Sequence, residues 1–474
     1  MNSANAQFDL STKKRIHVVG VGGPGMSAIA QVLVEMGHEV SGSDIKDSET
    51  VQRLREIGVV INVGHDAASV HQCDAVTASS AIPKQNIELV EAINTNIAVL
   101  SRAQMLALIC GQKLSIGVAG THGKTTTSSM LMTVLRAAQL HPSFIIGGEV
   151  RGVGSGASWD SGDHLVVEAD ESDGTHEQIP LGAVIVTNVD VDHLDHFSTF
   201  DNLVESFGRF IDGVSGPKVI CVDDASLSAI ALQQNVTTYA IHSPAQFTAR
   251  NVQFHDGGST FDVLHDEASG GSGLLLGRVT VQLRGEHNVA NALGVIAMST
   301  LLGIEFAVIA SSLAAFSGVS RRFDQRGSDE GVSFVDDYAH LPTEISAVLS
   351  SCTDETDSWT RVVAVFQPNR FNRMQHMSDA YADCFTAADH VVITDIYSSG
   401  TTPIEGVTGK LVVDAIARAH PDTSIAWKPT RAELIQHLAT ELRSGDLCVS
   451  MGCGDIETLP DEVIAARRAL RGGS

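Results

Sequence analysis

Short apolar runs alternate with amphipathic segments along most of this chain. The run at 16–19 predicts a buried strand, and a glycine-rich turn separates it from 26–36, which has the apolar spacing of a helix. The run at 114–119 repeats this order, with a turn and then a helical pattern at 130–138. Further strand patterns lie at 39–43, 59–62, 75–82, 97–100, 183–197, 332–340, 361–366, 390–397 and 446–456. Strands alternating with helices predict an α/β protein with parallel sheets.

The chain of 474 residues is long enough for roughly two to four domains. We expect three: a Rossmann-like N-terminal domain at 1–110, a central P-loop ATPase-like α/β domain at 111–322, and a Rossmann-like C-terminal domain at 323–474. The arginine-containing stretch 318–327 stands at the last boundary and is the candidate hinge.

The junction between the strand at 114–119 and the helix after it carries Gly120, Gly123, Lys124 and Thr125. Strand, glycine turn, Lys-Thr and helix form the arrangement that binds a nucleoside triphosphate. Loop amides and the helix N-terminus attract phosphate, so Lys124 is expected at the outer phosphates and the Thr125 hydroxyl at Mg²⁺. Val118 stands where the standard loop has glycine, so this is a shorter GTxGKT variant. An ordinary turn with a solvated lysine is the alternative.

A second glycine turn, Gly20-x-Gly22-x-x-Gly25, follows the first strand, and Asp44 ends the next one. This is the dinucleotide fingerprint. Its physics requires only a diphosphate at the helix N-terminus, so NAD and a nucleotide-sugar diphosphate both stay open at this point. Ser80 lies at the end of another strand, where open α/β sheets bind ligands.

Carboxylates gather after two strands that follow the phosphate loop. The first cluster contains Glu168, Asp170, Glu171 and Asp173, and the second contains Asp190, Asp192, His193 and Asp195. Clustered carboxylates repel one another unless solvent or a cation intervenes. Carboxylate and imidazole groups beside a phosphate loop suit Mg²⁺, which takes its remaining ligands from phosphate and water. Solvated acidic loops are the alternative.

Polar residues after position 287 suggest two further contacts. Asn288 and Asn291 are three residues apart on one helical face, where amides can pair with a base edge. Arg321, Arg322 and Arg326 form a basic patch that suits phosphate or carboxylate. The strand pattern at 332–340 also ends in polar residues, and polar residues follow the one at 361–366.

The composition indicates which classes of partner the protein is expected to bind and in which compartment it is expected to lie. A net charge of -25 argues against nonspecific binding to nucleic acid or to an anionic membrane. No apolar stretch reaches membrane-spanning length, and the first residues lack a signal-peptide core. The seven cysteines include no C-x-x-C pair. We therefore expect a cytoplasmic protein with reduced thiols and no nucleic-acid or membrane partner.

Taken in order, these motifs resemble the Mur ligase family of peptidoglycan synthesis over nearly the whole chain. The resemblance rests on HVVGVGGPGMSAIA, SGSD, SSAIPKQN, AGTHGKTTT, VEADESD, TNVDVDHLDHF, GEHNVANAL, GVSRRF, DDYAHLPTE, VFQPNRFNR and SMGCGDIETL. It implies ATP and Mg²⁺ as cofactors, UDP-N-acetylmuramate and L-alanine as substrates, and a monomer or homodimer. It also implies that the first glycine turn binds UDP, not NAD.

The resemblance implies a role for each matching residue. ATP would be bound by Gly120, Thr121, His122, Gly123, Lys124, Thr125, Thr126, Asn288, Asn291 and Arg322. Mg²⁺ would be held by Thr125, Glu168 and His193. The UDP-sugar would contact Gly22, Gly25, Met26, Ser27, Asp44 and Ser80. L-Alanine would contact Tyr338, His340, Arg370 and Arg373. Lys124, His193 and His340 would act in catalysis.

Three positions depart from the family pattern: Leu341 and Asn369, where histidine is frequent, and Phe371, where tyrosine is frequent. Residues 197–217 contain no lysine, so no carbamylated lysine is expected. The implied reaction forms an acyl phosphate from ATP, and an amine then attacks it. His340 or a water takes the amine proton. A related ligase that attaches a preformed peptide and an NAD-dependent oxidoreductase are the competing hypotheses.

Overall fold

The computed structural model describes residues 8–79, 81–255, 257–266, 273–353 and 359–472, without the side chains of 194 and 195. The strands form three sheets. The chain divides into two compact units: Met1–Asn251, Phe261–Thr280 and Ala290–Phe316 form the first, and Val252–Thr260, Val281–Val289 and Ser317–Ser474 the second. No helix in the described ranges is long and apolar enough to cross a membrane.

The N-terminal sheet is entirely parallel, with the strand order β3-β2-β1-β4-β5. Its elements are β1 (Arg15–Val19), α1 (Pro24–Glu35), β2 (Glu39–Asp44), α2 (Glu49–Glu56), β3 (Val60–Val63), β4 (Ala75–Ala78), α3 (Ile87–Asn94), β5 (Ala98–Ser101) and α4 (Arg102–Cys110). This is the order of a Rossmann-type half. Helix α1 begins two residues before the prediction, because Pro24 suits the first helical position.

The central sheet has ten strands in the order β15-β14-β13-β12-β11-β10-β6-β9-β7-β8. Its strands are β6 (Leu114–Ala119), β7 (Ser143–Val150), β8 (Ser155–Ser158), β9 (His164–Glu168), β10 (Ala183–Val186), β11 (Lys218–Cys221), β12 (Thr237–Ala240), β13 (Phe247–His255), β14 (Gly258–His265) and β15 (Leu274–Val281). The accompanying helices are α5 (Lys124–Ala137), α6 (Leu194–Phe197), α7 (Phe200–Gly213), α8 (Ala225–Ala231), α9 (Glu286–Leu301) and α10 (Phe306–Ala315).

Strand β6 lies between β9 and β10 and runs parallel to both. The carboxyl ends of these three strands therefore meet at one edge of the sheet. This register brings the phosphate loop beside the two acidic segments, which follow β9 and β10. Ligands of open α/β sheets bind at such an edge.

The third sheet has the order β16-β17-β21-β18-β19-β20, and only β16 is antiparallel to its neighbour. Its elements are β16 (Asp324–Asp329), β17 (Val332–Asp337), α11 (Pro342–Ser350), β18 (Arg361–Phe366), α12 (Phe371–Met377), β19 (His390–Ile393), α13 (Lys410–Ala419), β20 (Ile425–Trp427), α14 (Arg431–Glu441), β21 (Asp446–Met451) and α15 (Leu459–Gly472). Apolar cores cover both faces, one around Phe366 and Tyr381 and the other around Leu434 and Val463. The predicted α/β class is confirmed.

Several predicted strands are too long. The patterns at 75–82, 183–197 and 332–340 end as strands at Ala78, Val186 and Asp337. The patterns at 390–397 and 446–456 end at Ile393 and Met451, because the polar residues that follow leave the sheet and line its edge. The last segment of the second compact unit begins at Ser317, so the candidate hinge 318–327 lies within that unit.

Candidate functional site

The phosphate loop runs from the end of β6 to the start of α5, and two glycines determine its shape. Gly120 and Gly123 have φ angles of +127° and +82°. A Cβ at Gly120 would lie 2.2 Å from the Thr187 hydroxyl, and one at Gly123 would lie 2.6 Å from Oδ1 of Asn291. Any larger residue would therefore meet both backbone strain and a steric clash.

Hydrogen bonds join this loop to residues 187–190, which follow β10. The backbone N–H of Thr121 donates to the Asn188 carbonyl at 3.1 Å, and the N–H of His122 donates to Oδ1 of Asn188 at 2.8 Å. The Thr187 hydroxyl donates to the His122 carbonyl at 2.6 Å, and Nε2 of His122 lies 2.9 Å from Oδ2 of Asp190. Hydrogen bonds from neighbouring protein groups thus hold the loop in shape. Asn188 was missed from the sequence because it belongs to no phosphate-loop motif.

Lys124 points back into the loop. Its ammonium donates to both carboxylate oxygens of Glu171, at 2.9 and 3.0 Å, and to the Gly120 carbonyl at 2.6 Å. Burial lowers the pKa of Lys124, but Glu171, Asp170 and Glu168 together raise it above its usual value. The site therefore holds a charged ammonium among three carboxylates. Glu171 was assigned no role of its own in the sequence analysis.

The remaining predicted ATP and metal residues of the first unit lie around this loop. Thr125 and Thr126 begin α5 and are buried. Glu168 ends β9, where its Oε1 accepts the Gly147 N–H at 2.7 Å. His193 has a left-handed backbone, with φ of +53°, and its Nε2 lies 3.2 Å from Oδ2 of Asp192.

Metal binding by protein groups alone is not evident in the described residues. Among them, no group of three or more His, Cys, Asp or Glu side chains is placed to hold a metal ion. The predicted ligands Thr125, Glu168 and His193 would need phosphate and water oxygens to complete a coordination sphere, as Mg²⁺ sites usually do.

The two asparagines predicted to contact the base have different partners. Asn291 is buried, with its amide against Gly123 of the phosphate loop. Asn288 donates from Nδ2 to the Arg284 carbonyl at 2.7 Å. Both asparagines lie on α9, as predicted. Their side-chain contacts could not be predicted from the spacing.

The first glycine turn is closed by Asp44, whose Oδ2 accepts the Gly22 N–H at 2.9 Å. A Cβ at Gly22 would also lie 2.9 Å from that oxygen, so glycine is needed for this approach. The Met26 side chain is 1% exposed and packs into the core, which leaves only its backbone near the turn. The Ser27 hydroxyl donates to the Pro24 carbonyl at 2.9 Å. Ser80 lies outside the described residues.

Arg102, the first residue of α4, was not predicted from the sequence. Its Nη1 lies 3.4 Å from the position that a Cβ at Gly25 would occupy. Its Nη2 lies 2.8 Å from Oδ2 of Asp173 and 3.7 Å from Oδ2 of Asp170. The arginine thus stands between the first glycine turn and the acidic segment that follows β9.

Two arginines of the basic patch pack against Tyr338, which follows β17, whereas Arg326 donates to the Glu457 carbonyl at 3.0 Å. The guanidinium carbons of Arg321 and Arg322 lie 5.0 and 5.1 Å from the centre of its ring. Arg321 also donates from Nε to Asp336 at 3.0 Å. Burial raises the pKa of the neighbouring Asp337 to about 6, although the Arg322 charge opposes this shift.

The other residues predicted to bind L-alanine lie at the same edge of the third sheet. Nδ1 of His340 is 3.1 Å from the Tyr338 carbonyl oxygen. Arg373 is 7% exposed and donates to Oδ1 of Asn369 at 2.8 Å. Arg370 has a φ of +61° and its N–H donates to the Tyr397 carbonyl at 2.9 Å.

Cys453 connects these groups. Burial raises the pKa of its thiol, whereas Ser399 and the positive charges of Arg373, Arg321 and Arg370 lower it. Burial raises the pKa of Tyr338, and the Cys453 thiol adds to this shift. The tyrosine and the three arginines therefore lie within electrostatic range of Cys453. A cavity of about 380 Å³ lies at the same edge of the third sheet, and its lining includes Gln367, Phe371, Thr394, Tyr397, Arg431 and Asp455.

Comparisons with known proteins agree along the whole chain. Three family models match: "Mur ligase family, catalytic domain" at residues 15–113, "Mur ligase middle domain" at 118–299, and "Mur ligase, glutamate ligase domain" at 321–454.

Two similar proteins and one solved structure carry the same name. The UDP-N-acetylmuramate–L-alanine ligase of Desulfotalea psychrophila is 40% identical over 94% of this chain and 97% of its own. That of Anaeromyxobacter dehalogenans is 41% identical over 96% and 98%. The crystal structure of UDP-N-acetylmuramate-alanine ligase from Thermotoga maritima has a TM-score of 0.80 at 26% identity, and the match covers 96% of this chain and all of that one. The motif-based resemblance is confirmed, and the chain belongs to the Mur ligase family.

Proposed function

We propose that this chain is an ATP-dependent ligase that joins L-alanine to the lactyl carboxylate of UDP-N-acetylmuramate in peptidoglycan synthesis. The observation that carries the proposal is the preformed phosphate loop with Lys124, in a chain about 40% identical to a ligase of that name. A loop of this kind serves phosphoryl transfer, which an NAD-dependent oxidoreductase does not need.

The reaction has two steps. The lactyl carboxylate attacks the γ-phosphorus of ATP, so ADP leaves and an acyl phosphate forms. The amine of alanine then attacks the acyl carbon, and phosphate departs from the tetrahedral intermediate. A free carboxylate is a poor electrophile, so phosphorylation supplies the leaving group. Catalysis is then mainly positioning and stabilisation of charge.

The loop residues perform the positioning of ATP. The amides at 120–123 and the N-terminus of α5 face the phosphates, and Lys124 moves its ammonium from Glu171 to the outer phosphate oxygens. Thr121, His122 and Thr126 complete the loop. Asn288, Asn291 and Arg322 bind the rest of the nucleotide.

A divalent cation suits this site on electrostatic grounds. Glu168, Asp170 and Glu171 all act on Lys124, so a bound triphosphate would face three carboxylates with one ammonium between them. Mg²⁺ held by Thr125, Glu168 and His193 would offset that repulsion and neutralise charge on the transferred phosphoryl group.

The other two substrates bind at the first and third sheets. Gly22, Gly25 and Ser27 bind the UDP diphosphate together with the backbone of Met26, and Asp44 closes the same turn. Ser80, which lies outside the described residues, stays a predicted contact of the UDP-sugar. Arg370 and Arg373 hold the alanine carboxylate next to Tyr338. His340 or a water accepts the amine proton.

The proposal includes the domain boundaries 1–110, 111–322 and 323–474, a cytoplasmic location, and a monomer or homodimer. No nucleic acid or membrane takes part. The net charge of -25 supports the absence of nucleic-acid and membrane partners, and the other points stay predictions.

Release of ADP with defined amines tests this function. With ATP, Mg²⁺ and UDP-N-acetylmuramate present, we expect L-alanine to stimulate ADP release and a tripeptide to leave it at background. Glycine and L-serine would measure selectivity. Stimulation by the tripeptide alone would replace the proposal with a ligase for preformed peptides.

A further inference from the structure

Arg102 stands where the ligand edges of two sheets come together in the first compact unit. It follows β5 directly, at the carboxyl edge of the N-terminal sheet, and its guanidinium lies over Gly25 at the start of α1. Because a Cβ at Gly25 would sit 3.4 Å from Nη1 and 3.5 Å from Cδ, glycine leaves the face of the arginine open toward the turn.

Arg102 pairs with Asp173, a carboxylate that also accepts hydrogen bonds from other groups. Asp173 receives Nη2 at 2.8 Å, while its Oδ1 accepts the backbone N–H of Thr175 at 3.1 Å. The side chains of Arg102 and Asp173 are 22% and 33% exposed, so water and ligands reach the pair. An ion pair with this exposure contributes little stability, and breaking it costs correspondingly little.

A guanidinium fork binds carboxylate and phosphate with the same geometry. A nucleotide diphosphate carries more negative charge than one carboxylate, so it competes well for an arginine placed over its binding turn. The first glycine turn is the proposed binding site of that diphosphate, and the guanidinium of Arg102 lies against Gly25 of the turn.

We infer that Arg102 binds the diphosphate of the sugar nucleotide, and that Asp173 holds it in place until the ligand displaces the carboxylate. The inference rests on the proposed function. Asp173 is two residues from Glu171, the partner of Lys124. The cation proposed for the sugar nucleotide and the cation proposed for ATP therefore both pair with the acidic segment that follows β9.

The test uses ligands of increasing phosphate content on the full chain. Dissociation constants for uridine, UDP and UDP-N-acetylmuramate are measured for the wild type, Arg102→Gln and Asp173→Asn, together with a non-hydrolysable ATP analogue. Arg209→Gln is the matched control, since Arg209 pairs with Glu177 at 2.9 Å but is 60% exposed on helix α7.

We expect Arg102→Gln to weaken UDP and UDP-N-acetylmuramate about ten-fold to a hundred-fold, as for loss of a charge-assisted hydrogen bond. Uridine and the ATP analogue should change by less than about two-fold, and Arg209→Gln should change nothing. Asp173→Asn keeps an acceptor for Thr175 but removes the negative charge nearest to the arginine and leaves only Asp170, at 3.7 Å, so it should tighten UDP binding.

A purely structural role for Arg102 predicts a different pattern. Arg102→Gln would then weaken the ATP analogue and uridine as much as UDP, and Asp173→Asn would weaken UDP; either result overturns the inference. If the wild type binds the ATP analogue but not UDP-N-acetylmuramate, the proposed function itself fails. If the wild type binds both and Arg102→Gln matches it, only the role of Arg102 fails.

Discussion

At the scale of single residues, Lys124 contributes to stability as well as to phosphate binding. Its ion pair with Glu171 is nearly buried, with exposed side-chain fractions of 16% and 1%. Removing one member of such a pair leaves an uncompensated charge and costs roughly 3–5 kcal/mol. Loss of activity in a simple lysine variant would therefore mix two effects, which a second substitution separates.

We predict that Lys124→Met lowers the free energy of unfolding by roughly 3–5 kcal/mol and that adding Glu171→Gln restores most of it. Turnover should stay at least about 100-fold below wild type in both variants, because the transition-state contact is absent. Urea unfolding and ADP release give the two quantities. Near-normal ADP release by the refolded double variant would remove Lys124 from the mechanism.

A second residue-scale prediction concerns Arg373, which Asn369 holds at 2.8 Å. Arg373→Lys keeps the charge but loses the fork, so the KM for L-alanine should rise about ten-fold or more while the KM for ATP stays within about three-fold. Arg361→Lys is the control, because Arg361 pairs with Asp446 at 2.7 Å at the start of β18, away from the ligand edge. Equal KM values for alanine in all three proteins would contradict the carboxylate clamp.

At the scale of secondary-structure elements, the junction of β6 and α5 depends on close backbone approach. Gly123→Ala places a methyl group 2.6 Å from Oδ1 of Asn291 in a left-handed backbone, whereas Gly37→Ala, at φ of +94°, meets nothing within 4 Å. Both should lose about 1–2 kcal/mol of stability from the backbone alone. Only Gly123→Ala should also weaken an ATP analogue, by titration calorimetry, about ten-fold. Equal affinity in the two variants would show that the loop tolerates the shift.

A pH prediction belongs to the 3-10 helix Thr175–Gln178 beside the acidic segment. His176 is fully buried among Phe197, Phe207 and Phe210, and burial lowers its pKa to about 4. The unfolded chain, with a histidine pKa near 6.5, takes up the proton first. The buried, neutral His176 therefore makes its full contribution to the free energy of unfolding above about pH 6.5, and this contribution is lost as the pH falls toward about 4.

The unfolding free energy of the wild type should therefore fall more steeply than that of His176→Gln between pH 7.5 and 4.5. Urea titrations at several pH values provide the comparison. Parallel curves would mean that His176 does not titrate differently in the folded chain.

The elements also show why some features were predictable from the sequence. Apolar periodicity found the strands beside both glycine turns, but it placed the start of α5 at 130. The helix begins at Lys124, because Thr125 to Ser129 are buried hydroxyl residues that a hydrophobic pattern does not register. The loop lysine follows from local spacing. Arg102 does not, since only the sheet topology brings it to Gly25 and Asp173.

At the scale of the whole molecule, the protein is strongly acidic, with a net charge of -25, yet its proposed substrates are anions. The structure accommodates them with individual cations at sheet edges: Lys124 and Arg102 in the first unit, and Arg370 and Arg373 in the second. Three of these four are held by hydrogen bonds or ion pairs to neighbouring side chains. Recognition therefore depends on a few placed residues and not on the overall field.

The central claim is that phosphorylation of the sugar carboxylate links ATP cleavage to amide formation. The most direct measurement uses UDP-N-acetylmuramate with ¹⁸O in its lactyl carboxylate, followed by mass spectrometry of phosphate and product after turnover with ATP and L-alanine. We predict one ¹⁸O in phosphate for each amide formed, and none without ATP. Unlabelled phosphate, or ADP release that is independent of the sugar nucleotide, would contradict the account.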